Sequence, residues 1–395
     1  MSMDYFNASK GWTILFPPDI THAKKAVEDL SRYIGLLASD VNAGGRADGK
    51  ADGETGASKA PPVMDALGPA PDGAVIVLSC GLHGCEQNGF SWRAGEERVE
   101  ILGESGRGLC NGIYSFLAAL GISWPAPGQE DIPKHAADTA AGGTSGGLLY
   151  PLASAGEFSL SGGDNPPAGS RPSSTSLPSP ASLRLANLRR FVPGGISEVK
   201  TFLKKSEAFV EWAARRRYDA IVFPLAAFAS VSAAHKLKQL KQFAGEYGIA
   251  LEAGGRELSS LVPRRYFLLH RDFFRMDDGK RKKDHHFCPT NPDVTRLIAK
   301  EGVRLFRAAV DAAVIHLWPD KEAETAWCSC PTCRAFSSVE QNRIAINTAA
   351  DALAALHRGT NHGAELTSFI SYYEKPGEGG KIPPRKNTFS LNELP

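Results

Sequence analysis

The sequence has almost no net charge: 45 Lys+Arg stand against 43 Asp+Glu in 395 residues, a formal +2. Such a balance supplies no general field for polyanions, which argues against a dedicated nucleic-acid binder or a protein held on anionic lipid. Cysteine is also sparse. Seven in a chain of this length do not make a disulfide scaffold, and an odd number leaves one unpaired in any all-disulfide scheme. Free thiols or a metal site are the better expectation. No apolar run approaches the roughly 18 residues that span a bilayer. The opening MSMDYFNASKGWTILF lacks the basic stretch and sustained apolar run of a secretory signal. A cytoplasmic protein with no membrane partner is expected.

What the chain does have is 42% hydrophobic residues, enough length for two or three domains, and 40 Gly with 26 Pro that gather in two places. The first is a polar, unpatterned stretch from Asp40 to Gly73, read as a disordered insertion. The second, from about His135 to Ala186, carries AGGTSGG and SGGDNPPAGSRPSSTSLPSP and reads as a linker. The expected organisation is therefore a small α/β domain over 1–133 with the insertion 40–73, a Gly/Ser/Pro-rich linker over 134–197, and a third region over 198–395.

Before the linker, Thr13–Phe16 reads as a strand stopped by Pro17-Pro18, with Thr21 as cap of a helix through Val27, Leu30 and Leu37. Ala74–Leu78 is a strand, Phe90–Arg93 and Val99–Leu102 form a hairpin pair, and a helix follows Gly103-x-x-Gly106-x-Gly108. Those glycines match neither nucleotide fingerprint, so close packing at a strand-to-helix turn is preferred over a phosphate loop. After the linker, strands are expected at Ala220–Phe223, Ile249–Glu252, Tyr266–Leu269, Ala313–Trp318 and Leu366–Tyr373. Helices alternate with them over Glu198–Arg217, His235–Tyr247 and Asp293–Ala309, and from the capping box Ser337–Glu340 to about His357. Repeated β-α units with buried strands predict a parallel sheet or (β/α) barrel.

In such a barrel the reactive groups stand at the carboxyl-terminal strand ends. That rule selects Glu252, Arg256 and Glu257 after Leu251, His270, Arg271 and Asp272 after Leu269, Asp320 and Lys321 after Trp318, and Tyr373 with Glu374 after Tyr372. Paired carboxyls with aromatics and basic groups suit sugar chemistry, although strand ends carry charge simply because they are exposed. The sharpest local motif is Cys328-Ser329-Cys330-Pro331-Thr332-Cys333, with Cys288 some forty residues earlier. Three readings fit it: buried small thiols packing a loop, a tetrahedral zinc site filled by Cys288, Cys328, Cys330 and Cys333, and a redox Cys330/Cys333 pair. The basic run Lys280–Lys283 reads as a solvated turn.

Two stretches resemble known families. The stretch from Trp12 to Pro133, especially GFSWRAGEERVEILGESGRGLCNGIYSFLAALGISWPAPGQEDIP, is similar to the small α/β, zincin-like domain that precedes the barrel in family 20 glycoside hydrolases and α-glucuronidases. HHFCPTNPDVTRLIAKEGVRLF, with HLWPDKEAETAWCSCPTCRAFS, resembles a glycosidase-like barrel family, domain of unknown function 4838. The resemblance implies an O-glycosyl hydrolase with a glycan or glycoside of hexosaminide or uronide type as partner. It requires no cofactor, with structural zinc as an added reading, and leaves homo-oligomerisation open. In family 20 enzymes the catalytic pair closes the phrase His-x-Gly-Gly-Asp-Glu. Here His316-Leu317-Trp318-Pro319-Asp320-Lys321 puts Asp320 on the Asp and a lysine where the acid belongs. An ammonium is a poor general acid at neutral pH. Asp320 is then expected as orienting or nucleophilic carboxylate, Glu257 or Glu374 as acid/base, and Arg256, His270, His316, Trp318 and Tyr373 as sugar contacts. The roughly 195 residues after the linker fall short of the ~250 of a full barrel. An incomplete barrel, and with it a non-catalytic glycan-binding relative, is the competing expectation.

Overall fold

The computed structural model describes residues 5–39, 60–68, 71–82, 87–133, 149–151, 188–193, 204–229, 231–284, 286–309, 312–320, 327–358, 368–374 and 380–391. Most of the expected insertion, most of the expected linker, and Lys321 lie outside them. The chain divides into two compact units, Met1–Asn165 with Lys205–Asp219 and Gln242–Ile249, and Pro166–Lys204 with Ala220–Lys241 and Ala250–Pro395.

The first unit holds a five-stranded sheet in the order β3-β2-β4-β6-β5. Its strands are β2 (Thr13–Phe16), β3 (Val63–Asp65), β4 (Val75–Cys80), β5 (Phe90–Ala94) and β6 (Arg98–Gly103). β3, β2, β4 and β6 run parallel, and β5 closes the expected hairpin antiparallel to β6. A short pair, β1 (Tyr5–Asn7) with β7 (Leu149–Pro151), stands apart. Ile14, Ile76, Leu78, Val99 and Ile101 are buried, and helices α1 (Lys24–Ser39) and α2 (Gly106–Ala119) bury Val27, Leu30, Ile113 and Phe116. Ser105 caps α2 by accepting the Gly108 N–H at 3.1 Å. A Cβ on Gly103 would stand 2.2 Å from the Leu109 nitrogen and one on Gly106 2.0 Å from the Thr21 carbonyl oxygen. The glycine turn is thus a close-packing device.

Three expectations are corrected in this unit. Thr21 does not cap α1, which opens at Lys24 with the Ala23 carbonyl accepting from Val27. β3 falls inside the stretch read as insertion, because Ile14 pairs with Val63 and supplies a partner for three residues that carry no local strand signal. The helix α3 (Ser206–Arg215), assigned by the linker position to the third region, belongs to this unit. Trp212 Nε1 donates to the Trp124 carbonyl at 3.1 Å and Arg215 pairs with Asp29 at 3.0 Å.

The second unit is built on a six-stranded sheet in the order β15-β14-β13-β10-β9-β8. The strands are β8 (Arg190–Phe191), β9 (Ala220–Phe223), β10 (Ala250–Gly255), β13 (Val314–Leu317), β14 (Phe369–Tyr373) and β15 (Thr388–Leu391), every neighbouring pair parallel. A parallel sheet whose spatial order follows the chain, with helices in the crossovers, is the winding of a (β/α) barrel left partial. The crossovers hold α4 (Leu225–Ala229), α5 (Val231–Glu246), α6 (Pro292–Phe306) and α7 (Ser338–Arg358). Every residue of β9 and β13 is buried, as the uninterrupted apolar run of β9 requires, and β13 buries His316 along with its three apolar residues. α6 starts on Asn291, whose Oδ1 accepts from Asp293 N at 2.9 Å, followed by Pro292 in the first turn. The box at α7 is reciprocal: Ser337 N donates to Glu340 Oε2 at 2.8 Å and Glu340 N to Ser337 Oγ at 3.2 Å.

Tyr266–Leu269 is not a strand. Pro263 opens a 3-10 helix over Arg264–Leu268, and Leu268 and Leu269 are 80% and 86% exposed, so an apolar run without a pairing partner winds up instead. The strand set gains β8 and β15, neither expected from sequence. β15 lies in the polar tail yet buries Phe389 and Leu391.

Candidate functional sites at the strand ends and the cysteine cluster

β10 delivers the first group. It ends on Gly254 and Gly255, with φ of +104° and +135°, and a Cβ on Gly254 would stand 2.1 Å from the His316 carbonyl oxygen. Only glycine tolerates both conditions there. The ladder then continues past the regular strands: Trp318 N donates to Gly255 O at 2.8 Å and Leu258 N to Trp318 O at 3.1 Å. These bonds hold the segment carrying Arg256 and Glu257 beside the one carrying Asp320.

Glu257 Oε2 accepts the Leu225 N–H at 3.0 Å. Burial raises its pKa above the ordinary carboxylate value, against the opposing pull of that N–H. Arg256 spans to the neighbouring segment, donating to the Pro319 carbonyl at 3.2 Å. Arg264 contributes a cation that sequence reasoning overlooked. Its guanidinium donates to the Ser259 carbonyl at 3.0 Å, lies 4.9 Å from the Phe274 ring centroid, and interacts electrostatically with Asp320; burial nonetheless lowers its pKa.

The remaining expected residues are placed differently. Glu374, after β14, is held by both its oxygens: Arg343 Nε donates at 2.7 Å and Nη2 at 3.0 Å. His270 is exposed on a 3-10 turn and stacks on Phe273 with centroids 4.6 Å apart. Tyr373 is half-buried, its carbonyl accepting from Asn342 Nδ2 at 2.9 Å.

His316 and Trp318 do not stand open at the rim, where sugar contacts were expected; they are 0% and 1% exposed. The alternation of β13 turns them into a buried polar chain. Trp318 Nε1 donates to Ser371 Oγ at 2.9 Å, Ser371 Oγ lies 2.9 Å from His316 Nδ1, and His316 Nε2 lies 2.8 Å from Glu252 Oε2. Glu252 also receives Arg190, Nε at 2.6 Å and Nη2 at 3.2 Å. These bonds assign a neutral imidazole with its proton on Nε2: Ser371 accepts from Trp318 and donates to Nδ1. Burial lowers the His316 pKa despite Glu252, in keeping with that tautomer. Burial would raise Glu252, but the Arg190 charge and His316 outweigh it and hold the carboxyl below its usual range.

The second cluster lies in the same unit. Cys288 precedes α6, and Cys328, Cys330 and Cys333 precede α7; all four are buried free cysteines. Their sulfurs fall within 4.8 Å of one another, with Cys288 3.7 Å from Cys330 and 3.6 Å from Cys333. A disulfide needs about 2.05 Å between sulfurs, so no pair is bonded. Met276 N donates to Cys328 Sγ at 3.2 Å, Cys333 N to Cys330 Sγ at 3.5 Å, and the Arg281 guanidinium lies 3.9 Å from Cys328 Sγ. Gln341, on the first turn of α7, fixes the cysteine turn: its Oε1 accepts from Cys328 N at 3.0 Å and its Nε2 donates to the Cys328 carbonyl at 3.1 Å and the Cys333 carbonyl at 3.2 Å. Hydrogen bonds from Cys328 and Cys333 draw the Cys288 pKa far down. Trp327 and Trp124 are 9% and 3% exposed and belong to the cores.

No family model matches this chain, and no curated protein matches it in sequence. Among solved structures it is similar to a β-N-acetylhexosaminidase from Bacteroides fragilis (12% identity, 98% of this chain and 67% of that one, TM-score 0.42). It is also similar to a family 20 exo-β-N-acetylglucosaminidase from Vibrio harveyi (12% identity, 99% of this chain and 55% of that one, TM-score 0.43). A third is a family 138 enzyme targeting pectin rhamnogalacturonan II (10% identity, 91% of this chain and 44% of that one, TM-score 0.45). This chain spans about half to two-thirds of the first two structures and less than half of the third.

Proposed function

We propose that the protein acts on a glycan or glycoside at the carboxyl-terminal edge of the six-stranded sheet, with Glu257 as acid/base and Asp320 as the orienting or nucleophilic carboxylate. The observation that carries this reading is the state of Glu257. Its carboxyl is half-buried, has no paired cation among the described residues, and has its pKa raised by burial. A general acid for a glycosidic oxygen must still hold its proton near neutral pH, and burial without a counter-cation is how a carboxyl does so. Asp320 stands on the adjoining segment and interacts electrostatically with the Arg264 charge. The pair has the division of labour of glycoside hydrolysis: one carboxyl protonates the leaving oxygen while the other serves the anomeric centre as base or nucleophile. Arg256 is positioned to donate to sugar hydroxyls or a uronic carboxylate.

A second reading, glycan binding without turnover, draws support from Glu374. Both of its oxygens are committed to Arg343, so it is not an alternative acid, and the sequence places Lys321 rather than a carboxyl after Asp320. A panel of aryl N-acetylhexosaminides and aryl uronides separates the two. Turnover abolished by both Glu257→Gln and Asp320→Asn supports the enzyme. Turnover that survives Glu257→Gln refutes the role given to that residue. Glycan affinity without turnover, lost in Asp320→Asn, supports the binding protein.

A further inference from the structure

We propose that Cys288, Cys328, Cys330 and Cys333 bind one zinc ion as a closed tetrathiolate centre that joins the starts of α6 and α7. This inference is independent of the glycan reading and survives its failure.

The geometry is that of a metal shell. Four ligands at the usual Zn–S length of about 2.3 Å occupy a tetrahedron whose edges are roughly 3.8 Å. The Cys288 sulfur lies 3.7 and 3.6 Å from two of its partners, and all four sulfurs fit within 4.8 Å. Packing alone does not explain the surroundings. An apolar nest of thiols needs no donors, yet two backbone N–H groups, from Met276 and Cys333, and the Arg281 guanidinium are aimed at these sulfurs. Donors of that kind stabilise thiolates, whose charge around a divalent ion sums to minus two. Sulfur-only tetrahedral ligation selects zinc among the divalent ions, or iron in redox centres. With four protein ligands no position is left for substrate, so the centre is structural.

On binding, each thiol gives up its proton to solvent and its sulfur forms one Zn–S bond; no electron is transferred. The ion would join segments far apart in the chain. The Cys288 N–H donates to the Phe273 carbonyl at 2.8 Å, Ser329 N donates to Met276 O at 2.8 Å, and Gln341 ties the cysteine turn to α7. The hairpin of β11 (Met276–Asp277) and β12 (Lys280–Arg281), the start of α6 and the start of α7 are gathered on one point. Of the basic run Lys280–Lys283 one member faces the cluster: Arg281 donates to the Phe274 carbonyl at 2.7 Å and lies 3.9 Å from Cys328 Sγ.

The test is elemental analysis of the full-length protein, with titration of its thiols by an organomercurial in the presence of a metallochromic dye. The expected result is about one zinc per chain, released in step with modification of the four cysteines, and lost in Cys330→Ser. Cobalt(II) added to metal-free protein should give the thiolate charge-transfer and visible bands of a tetrahedral sulfur site, a readout that does not depend on any variant folding. Wild-type protein that carries no metal and gives no such bands with cobalt overturns the proposal. Iron in place of zinc, with the matching visible absorption, overturns the assignment of the ion.

Discussion

Arg190→Met is the substitution that most directly tests how the second unit is held together. The Arg190 side chain is 2% exposed and Glu252 0% exposed, and the two are joined by bonds of 2.6 and 3.2 Å. Methionine retains most of the aliphatic volume and removes the charge, leaving Glu252 among buried groups. The carboxyl then has two ways out. It can take a proton, which at pH 7 against an ordinary pKa near 4.3 costs about 3.7 kcal/mol, at 1.36 kcal/mol per unit. Alternatively His316 can take one, at about 0.7 kcal/mol for a free imidazole. That turns Nδ1 from acceptor into donor, and the Ser371 hydroxyl proton must then find another acceptor. Between these routes the expected loss is about 2–4 kcal/mol at pH 7, in line with breaking a buried pair by removing one partner. The proton uptake gives the effect a signature: the deficit should shrink by up to ~1.4 kcal/mol per pH unit as pH is lowered toward the carboxylate range. The assay is urea unfolding at several pH values, with hydrogen exchange of the β10 amides to report on this unit alone. Arg190→Met combined with Glu252→Met should recover much of the loss, because the stranded charge is gone. A single variant within about 0.5 kcal/mol of wild type at pH 7 would refute the reasoning, as would a double variant no better than the single.

Three further outcomes follow from the same geometry. The folded-state pKa values of Glu252 and His316 are both lowered, so the stability they contribute is present above the unfolded values and lost on acidification, for His316 as pH falls below about 6.5 and for Glu252 below about 4.3. Unfolding free energy that rises as pH falls through 6.5 would contradict the neutral imidazole. Gly254→Ala puts a Cβ 2.1 Å from the His316 carbonyl at φ +104° and should destabilise by more than about 2 kcal/mol, whereas Gly279→Ala, with no atom within 4 Å of its Cβ, meets only the backbone strain. Comparable melting temperatures for the two would show that the β10–β13 approach is loose. Ser337→Ala should cost about 1 kcal/mol by removing the acceptor for Glu340 N, and a thermal melt unchanged within error would show that the box contributes nothing.

Much of this molecule is legible in sequence wherever the signal is local. α6 follows from Val294, Leu297 and Ile298 on one face behind an Asn-Pro start, and α7 from Ser337 and Glu340 three residues apart. β9 and β13 follow from short apolar runs. What escaped is set by pairing. β8 is two residues long and β15 sits in a polar tail, and each is a strand because a neighbouring strand offers a free edge, not because its residues prefer extension. Conversely, Tyr266–Leu269 has strand composition but is offered no partner and winds into a 3-10 turn. The same division holds for the sites. The Cys-x-Cys-x-x-Cys spacing shows in the sequence, and the fold supplies Cys288 from 40 residues away. Nothing local links Arg190, Glu252, His316 and Ser371, whose meeting depends on the register of four different strands.

The carboxyls of the second unit differ less in position than in what already occupies their oxygens. Glu252 ends in a fully buried ion pair, Glu374 in a fork from Arg343, and Glu340 in backbone N–H groups of Ser337 and Lys381. Each has its free energy committed to structure, and freeing it for chemistry would cost the partner its desolvation. Glu257 is different: its Oε2 accepts the Leu225 N–H at 3.0 Å, and burial rather than a cation dominates its environment. A group held in place by a neutral donor, and pushed toward its protonated form by burial, is better placed to carry a proton than one forked by a guanidinium. On that ground Glu257 takes the acid role over Glu374, although both follow strands of the same sheet. The expected kinetic sign is that wild-type activity falls on the alkaline side as Glu257 loses its proton; a rate that stays level through that range would refute the acid role.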